Sequence, residues 1–531
     1  MFVKELNRQV VCNPDSPVVN TPDGRLRGVN VEDTYIFRGI KYANAKRFMM
    51  PTPVEPWEGV KEAIIYGPVC LEVQTVQPDD NYNVPHVFYP QSEDCQYLNV
   101  WTQSINDETK KRPVLVWLHG GGFSTGSGIE HFAYDGENMS RFGDVVVVTL
   151  NHRLNLLGYL DLSRYGEKYK YSGNVGTADL VEALRWVKRN IASFGGDPDN
   201  VTIFGQSGGG GKVAALLQTP SADGLFHRAV IQSGVVKHGM RFDRGMDVAE
   251  KIMGLLGITP DRVEELETLP YWRFQEAIIG SGEGRLGMAF SPHRDDDFYL
   301  GDIAEVGVCE HAKKIPVMVG NVLGEFSQNY VFTVDNTAKN SWSEKKVDQI
   351  LKDKFGDKAE EAIALFKAAY PDLPVQDVLF LDRMFRTGTF EYLKIRAEAG
   401  CDNTYGFMFR MEQPIYGGTL PWHNAEIPYV FHNADYIEPS YEPGVTEKVQ
   451  DVVCAAWCNF AEKGDPNVRT APVWKPYTKD CHAMMYFDEN SYVQCGDAEE
   501  ALVDFLFANP IELTRVTRQK RAKYFGGGPR I

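Results

Sequence analysis

The sharpest chemical signal in the chain is a serine set among glycines, Gly205-Gln206-Ser207-Gly208-Gly209. It fits G-x-S-x-G, directly after the β-branched run Val201-Thr202-Ile203-Phe204 and before a helical stretch, Lys212–Gln218. A strand-to-helix turn of this kind lifts a serine hydroxyl out of a sheet, and flanking glycines leave room for the strained backbone it needs. The helix N-terminus behind it puts a positive dipole end where an oxyanion would form. Two plainer readings compete. A phosphate-binding loop ending at Lys212 fails, because Gln206 stands where its first glycine belongs and Val213 follows the lysine. A glycine turn carrying an idle serine is dismissed only by context.

Upstream, Val114-Leu115-Val116-Trp117-Leu118 runs straight into His119-Gly120-Gly121-Gly122-Phe123. Consecutive glycines after a strand expose backbone N–H groups that can hold an oxyanion, the second half of an acyl-transfer site. His119 belongs to that loop and reads as structural. A serine hydroxyl also needs an imidazole base oriented by a carboxylate, in the chain order Ser, acid, His. Beyond the strand Ile315–Gly320 the first carboxylate is Glu325, and the histidines after it are His423, His432 and His482. His423 lies in a glycine-bearing loop after a strand. His432 ends an apolar run and His482 follows Asp480-Cys481, so both read as packing or surface residues. Order and loop position favour Glu325 with His423.

The elements that must position these groups recur as apolar strand, glycine-bearing turn and helix. Strands are expected at Val114–Leu118, Val145–Leu150, Val201–Phe204, Val230–Gln232, Ile315–Gly320 and Tyr405–Phe409. From Asp179 to Ile191, Leu180, Ala183, Leu184 and Val187 share one helical face. Near-continuous apolar strands alternating with helices imply an α/β architecture, a largely parallel sheet covered on both faces. The first hundred residues, with turns such as Pro22-Asp23-Gly24, suit an antiparallel extension of that sheet.

Composition narrows the function. With 72 acidic against 55 basic residues the formal charge is −17, which repels phosphate backbones and excludes a nucleic-acid partner. No apolar run reaches the ~18 residues of a membrane span. Nine cysteines in 531 residues do not make a disulfide scaffold. The N-terminus shows no apolar secretory core, so a cytoplasmic location is expected unless a leader has been removed. Cys454 and Cys458 share a helix between Glu447 and Lys463 and, without further ligands at metal spacing, read as core. Asp295-Asp296-Asp297 reads as a solvated turn. No metal and no cofactor are expected.

At this point the chain resembles the type-B carboxylesterase/lipase family, which includes the cholinesterases, from about Val18 to about Phe487. Glu93-Asp94-Cys95-Gln96-Tyr97-Leu98-Asn99-Val100, Asn151-His152-Arg153-Leu154, Gly173-Asn174 with Asp179, Phe194-Gly195-Gly196-Asp197-Pro198 and Ala425-Glu426-Ile427-Pro428-Tyr429 resemble separate family segments. So does Gly320-Asn321-Val322-Leu323-Gly324-Glu325, with the acid five residues after the glycine. The resemblance implies an α/β-hydrolase fold, Ser207 as nucleophile, Glu325 as acid and His423 as base. It further implies an oxyanion hole from the N–H groups of Gly121, Gly122 and Gly208, and a possible disulfide between Cys70 and Cys95.

Departures bear on substrate. Gln206 replaces the family's glutamate before the serine, and Gly208 its alanine after it, which suggests a looser elbow. Between Cys70 and Cys95 there is no tryptophan to hold a quaternary ammonium, only Tyr82, Phe88 and Tyr89, which argues against choline esters. Val235 stands where the family often has a serine near the acid, so support for Glu325 is expected from elsewhere. The expectation is one α/β-hydrolase domain over residues 1–531 that hydrolyses small-molecule carboxylic esters, with the oligomeric state unread. An amide or carbamate hydrolase with the same triad, and a non-catalytic cholinesterase-like binding module, are the alternatives.

Overall fold

The computed structural model describes residues 8–73, 86–237, 247–282, 286, 289–326, 330–331, 339–511 and 514–515. Its frame is a twelve-stranded sheet. In chain order the strands are β1 (Val10–Val11), β2 (Val29–Val31), β3 (Thr34–Lys41), β4 (Tyr97–Thr102), β5 (Arg112–Leu118) and β6 (Val146–Leu150). There follow β7 (Gly196–Gln206), β8 (Arg228–Gln232), β9 (Val317–Val322), β10 (Thr404–Phe409), β11 (Ala483–Phe487) and β12 (Tyr492–Cys495). The spatial order is β1-β2-β3-β4-β6-β5-β7-β8-β9-β10-β11-β12. From β6 through β11 every neighbouring pair is parallel. The N-terminal strands pair antiparallel, as the turn-rich start of the chain implied. At β6-β5-β7 the order reverses, and ligands of open α/β sheets bind beyond the strand C-termini at such a switch point.

Four helices matter for the site: α1 (Val175–Asn190), α2 (Gly208–Leu217), α3 (Phe385–Glu398) and α4 (Thr446–Lys463). Alternation along β5 divides the core, with Val114, Val116 and Leu118 facing one side and Leu115 and Trp117 the other. Leu180, Ala183, Leu184 and Val187 of α1, Val213 and Leu216 of α2 and Leu393 of α3 pack on the first side. Val449, Val453, Trp457 and Phe460 of α4 pack on the second. Cys454 and Cys458 are buried there as core residues. Burying each such side chain is worth about 1.5–3 kcal/mol, and the doubly covered sheet is rigid for that reason.

Several segments that look unrelated in the sequence meet under the site. Arg153 donates from Nε and Nη2 to the two carboxylate oxygens of Asp179 at 2.9 and 2.7 Å, and its backbone N–H donates to the same group. Gln96 Nε2 adds a bond at 3.3 Å. A buried guanidinium is tolerated only with such pairing. The acidic triplet closes a turn, with Asp295 Oδ1 accepting from the N–H groups of Asp297, Phe298 and Tyr299. Among the described residues no helix is long and apolar enough to cross a membrane.

Candidate functional site

Ser207 caps β7 at φ 57° and ψ −126°, a conformation that costs an L-residue of order 1–3 kcal/mol. Its N–H donates to Gln232 O at 2.8 Å, and its carbonyl accepts from Gly211 N–H at 3.0 Å, so the turn is held from both sides. The looser elbow suggested by Gly208 is not found. A Cβ at Gly208 would lie 2.2–2.3 Å from the backbone of Gly122, so the oxyanion-type loop occupies the room that alanine would need. Gly121 and Gly122 have φ of +82° and +63°, which explains the glycines there.

That loop is anchored from behind. Lys212, fully buried on α2, donates from Nζ to His119 O at 2.8 Å and makes a longer contact to Gly120 O at 3.5 Å. Burial pushes the ammonium down to about 7, against the pull of Glu130. His119 Nδ1 lies 2.9 Å from Gly120 O, and burial lowers this imidazole, with the Lys212 charge adding to the effect. Its structural role stands. The contact of Lys212 with the loop has no local signature in the sequence, where the residue reads as part of the helix after the elbow.

Glu325 and His423 meet because their two loops are zipped by backbone. His423 N–H donates to Glu325 O at 2.9 Å, Gly324 N–H to Pro421 O at 3.2 Å, and Glu325 pairs with Trp422 in a parallel bridge. The side chains follow, His423 Nδ1 against Glu325 Oε2. The other carboxylate oxygen accepts from Ser233 Oγ at 2.6 Å and Val322 N–H at 2.9 Å. Support for Glu325 therefore comes from Ser233, two residues before the valine that departs from the family. Ser233 and Glu325, like Ser207, hold positive φ, and such strain clusters at functional sites.

The pair is sealed from water, Glu325 and His423 being 1% exposed each. Phe326 and Phe385 cover the imidazole, with ring centroids 4.1 and 5.0 Å away. Burial pushes His423 down to about 4, although Glu426 and Asp382 pull the other way. Burial and the Asp382 charge raise Glu325, while Ser233, Val322 and Arg386 oppose this. Gln206 Nε2 sits 3.4 Å from both ring nitrogens.

Two further acids adjoin the pair. Asp382 opens α3 by accepting from the N–H groups of Met384 and Arg386, at 2.9 and 2.6 Å. Glu426 accepts from Gln232 Nε2 at 3.0 Å and is pushed up by burial and the Glu325 charge to about 7. The other candidate histidines are held by surface carboxylates, His432 by Asp451 at 2.7 Å and His482 by Asp497 at 2.6 Å. Cys70 and Cys95 lie together as buried, unbonded thiols, and burial and the contact with Cys70 raise Cys95. Phe88 is exposed and Tyr89 packs on Tyr66, while Tyr82 lies outside the described residues.

Ser207 opens into a cavity of 340 Å³. One wall follows α2 through Gly211, Ala214 and Ala215 to Gln218, and the facing wall follows α3 through Phe385, Gly388, Tyr392 and Ile395. Phe385 to Ile395 on α3 spans about 15 Å of helix axis. Lys237, Asp302 and Glu391 also line it and add charge to apolar walls.

A mostly parallel sheet with a serine elbow at its switch point and a glycine loop against the elbow defines an α/β-hydrolase. The comparisons agree. The family model described as "Carboxylesterase family" matches residues 15–503, and the chain belongs to that family. It is 32% identical to the para-nitrobenzyl esterase of Bacillus subtilis (strain 168), over 90% of this chain and 96% of that one. It is also 32% identical to the phenmedipham hydrolase of Pseudarthrobacter oxydans, over 88% and 94% of the two chains. A solved esterase from Clostridium hathewayi, described as able to hydrolyse aliphatic aromatic polyesters, superposes with a TM-score of 0.88 at 45% identity, covering 94% of this chain and all of that one. The protein is a carboxylic ester hydrolase.

Proposed function

We propose that the chain acts as one catalytic domain, a serine carboxylesterase working through an acyl-enzyme, with Ser207, His423 and Glu325 as its triad. The observation that carries this reading is the sealed Glu325–His423 pair, braced by Ser233 and Val322, beside an elbow whose serine opens into the cavity. Ser207 Oγ attacks the ester carbonyl carbon and its proton passes to His423 Nε2. Nδ1–H donates to Glu325, which fixes the tautomer and stabilises the imidazolium. The N–H groups of Gly121, Gly122 and Gly208 receive the tetrahedral oxyanion. Collapse expels the alcohol, protonated by His423, and leaves the acyl group on Ser207. Water, deprotonated by His423, then repeats the sequence and frees the acid.

The channel supports elongated esters with an aliphatic or aromatic arm, in line with the polyester activity described for the Clostridium hathewayi relative. Gln206 in place of a glutamate, and the lack of a tryptophan between Cys70 and Cys95, argue against choline esters. The experiment is hydrolysis of p-nitrophenyl acetate, butyrate, octanoate and palmitate by wild type and Ser207→Ala, with mass spectrometry of the acylated enzyme. Turnover that vanishes in the folded variant, together with one acyl adduct on Ser207, is the expected result. Retained turnover in Ser207→Ala rejects the triad, and no turnover on any ester favours the binding-module alternative.

A further inference from the structure

Away from Ser207, two groups of described residues bring three donors within 4.8 Å of one another. His482, Asp497 and Glu500 form one, but it is already satisfied, because Glu500 also accepts from Tyr477 at 2.6 Å and pairs with Lys394 at 2.5 Å. His86, Glu130 and His131 form the other. Here two chain segments are fixed before any ligand arrives. His86 faces His131 across an antiparallel bridge, and Val87 N–H donates to Glu130 O at 2.7 Å. The imidazoles meet edge to face at 4.0 Å, and His131 stacks on Tyr134 at 4.6 Å with the planes 4° apart, which sets its orientation.

We propose that His86, Glu130 and His131 bind one borderline divalent cation of the zinc, cobalt or nickel type, with a water in the remaining position. Two imidazoles and one carboxylate suit these ions, whereas magnesium and calcium prefer all-oxygen sets. Tetrahedral ligation at about 2.0–2.1 Å needs donors about 3.4 Å apart, which small side-chain rotations supply. Burial and the neighbouring Glu72 push the Glu130 carboxyl up to about 8, so the ion displaces that proton as it binds. The site lies outside the reacting atoms. It ties residues 86–87 to the segment that follows Gly121 and Gly122, so the ion acts as a clamp on the loop, not as a participant in hydrolysis.

The test uses the full chain carrying His482→Ala, which removes the competing cluster, stripped with chelator and titrated with Co²⁺ alone. One ion per chain is expected, with the visible bands of tetrahedral cobalt and no thiolate charge-transfer band. At a hundred times Kd the thermal midpoint should rise by about 2 °C. His86→Ala and Glu130→Gln should each weaken binding about 100-fold or more, with cooperative melting of the chelated variants as the folding control. No uptake below about 1 mM Co²⁺, uptake that survives His86→Ala with His131→Ala, or a thiolate band overturns the proposal.

Discussion

Replacing Lys212 with methionine separates two roles that a buried lysine plays at once. The ammonium is 0% exposed and has been pushed from 10.5 down to about 7, a shift that corresponds to about 5 kcal/mol against burying the charge. Methionine keeps the apolar stem and removes that penalty, so Lys212→Met should be at least as stable as wild type at pH 7. The sign follows from linkage. The unfolded chain holds the lysine proton up to about 10.5 and the folded chain loses it near 7, so wild-type stability rises with pH across that window, by up to about 1.4 kcal/mol per pH unit. The gap between variant and wild type should therefore close between pH 7 and 10. Catalysis should move the other way. The 2.8 Å bond to His119 O holds the strand end that leads into Gly121 and Gly122, the proposed oxyanion donors. An ordinary hydrogen bond is worth about 0.5–1.5 kcal/mol, which sets the loss in kcat at about 2- to 10-fold. Urea unfolding at pH 7, 8 and 9, with p-nitrophenyl acetate kinetics, reads both. A variant that loses stability yet keeps kcat refutes the anchoring argument.

Other consequences of the same geometry are as direct. His423 gives an acid limb in kcat/KM near pH 4, with activity full above it and falling as the imidazole protonates. Gln206→Glu puts a carboxylate 3.4 Å from that ring and should move the limb upward by about 1–3 pH units; an unmoved limb means the amide does not face the base. Ser233→Ala removes one of the bonds that hold Glu325, and kcat should fall about 10- to 100-fold at constant KM, with cooperative melting retained. Ala214→Phe fills the channel wall beyond Ser207, so octanoate hydrolysis should drop at least tenfold while acetate is nearly unaffected; equal losses on both would place the acyl chain elsewhere.

What the sequence shows of this site follows from how local each interaction is. The elbow is written in consecutive residues, because a strained turn between strand and helix needs glycines at fixed offsets, although β7 begins ahead of Val201, at Gly196, and α2 ahead of Lys212, at Gly208. The strands are similarly legible, since burial on both faces leaves continuous apolar runs such as Val146–Leu150. Ser233 has no local signature, because its bond to Glu325 crosses the gap between β8 and β9 rather than running along the chain. Lys212 and Glu426 were quoted in motifs, but their partners lie in loops far away in the chain. Asp382 does carry a signal, an acid just ahead of the helical stretch from Phe385. The proposed triad is therefore visible from spacing and chain order, and Gln206 from its place in the elbow, whereas the bonds of Lys212, Ser233 and Glu426 appear only once the sheet has brought β5, β7, β9 and β10 to a common edge. Gln206 touches the His423 ring, Ser233 holds Glu325 and Lys212 holds the glycine loop, so substitutions at these three positions should tune the proposed triad without removing any of its members.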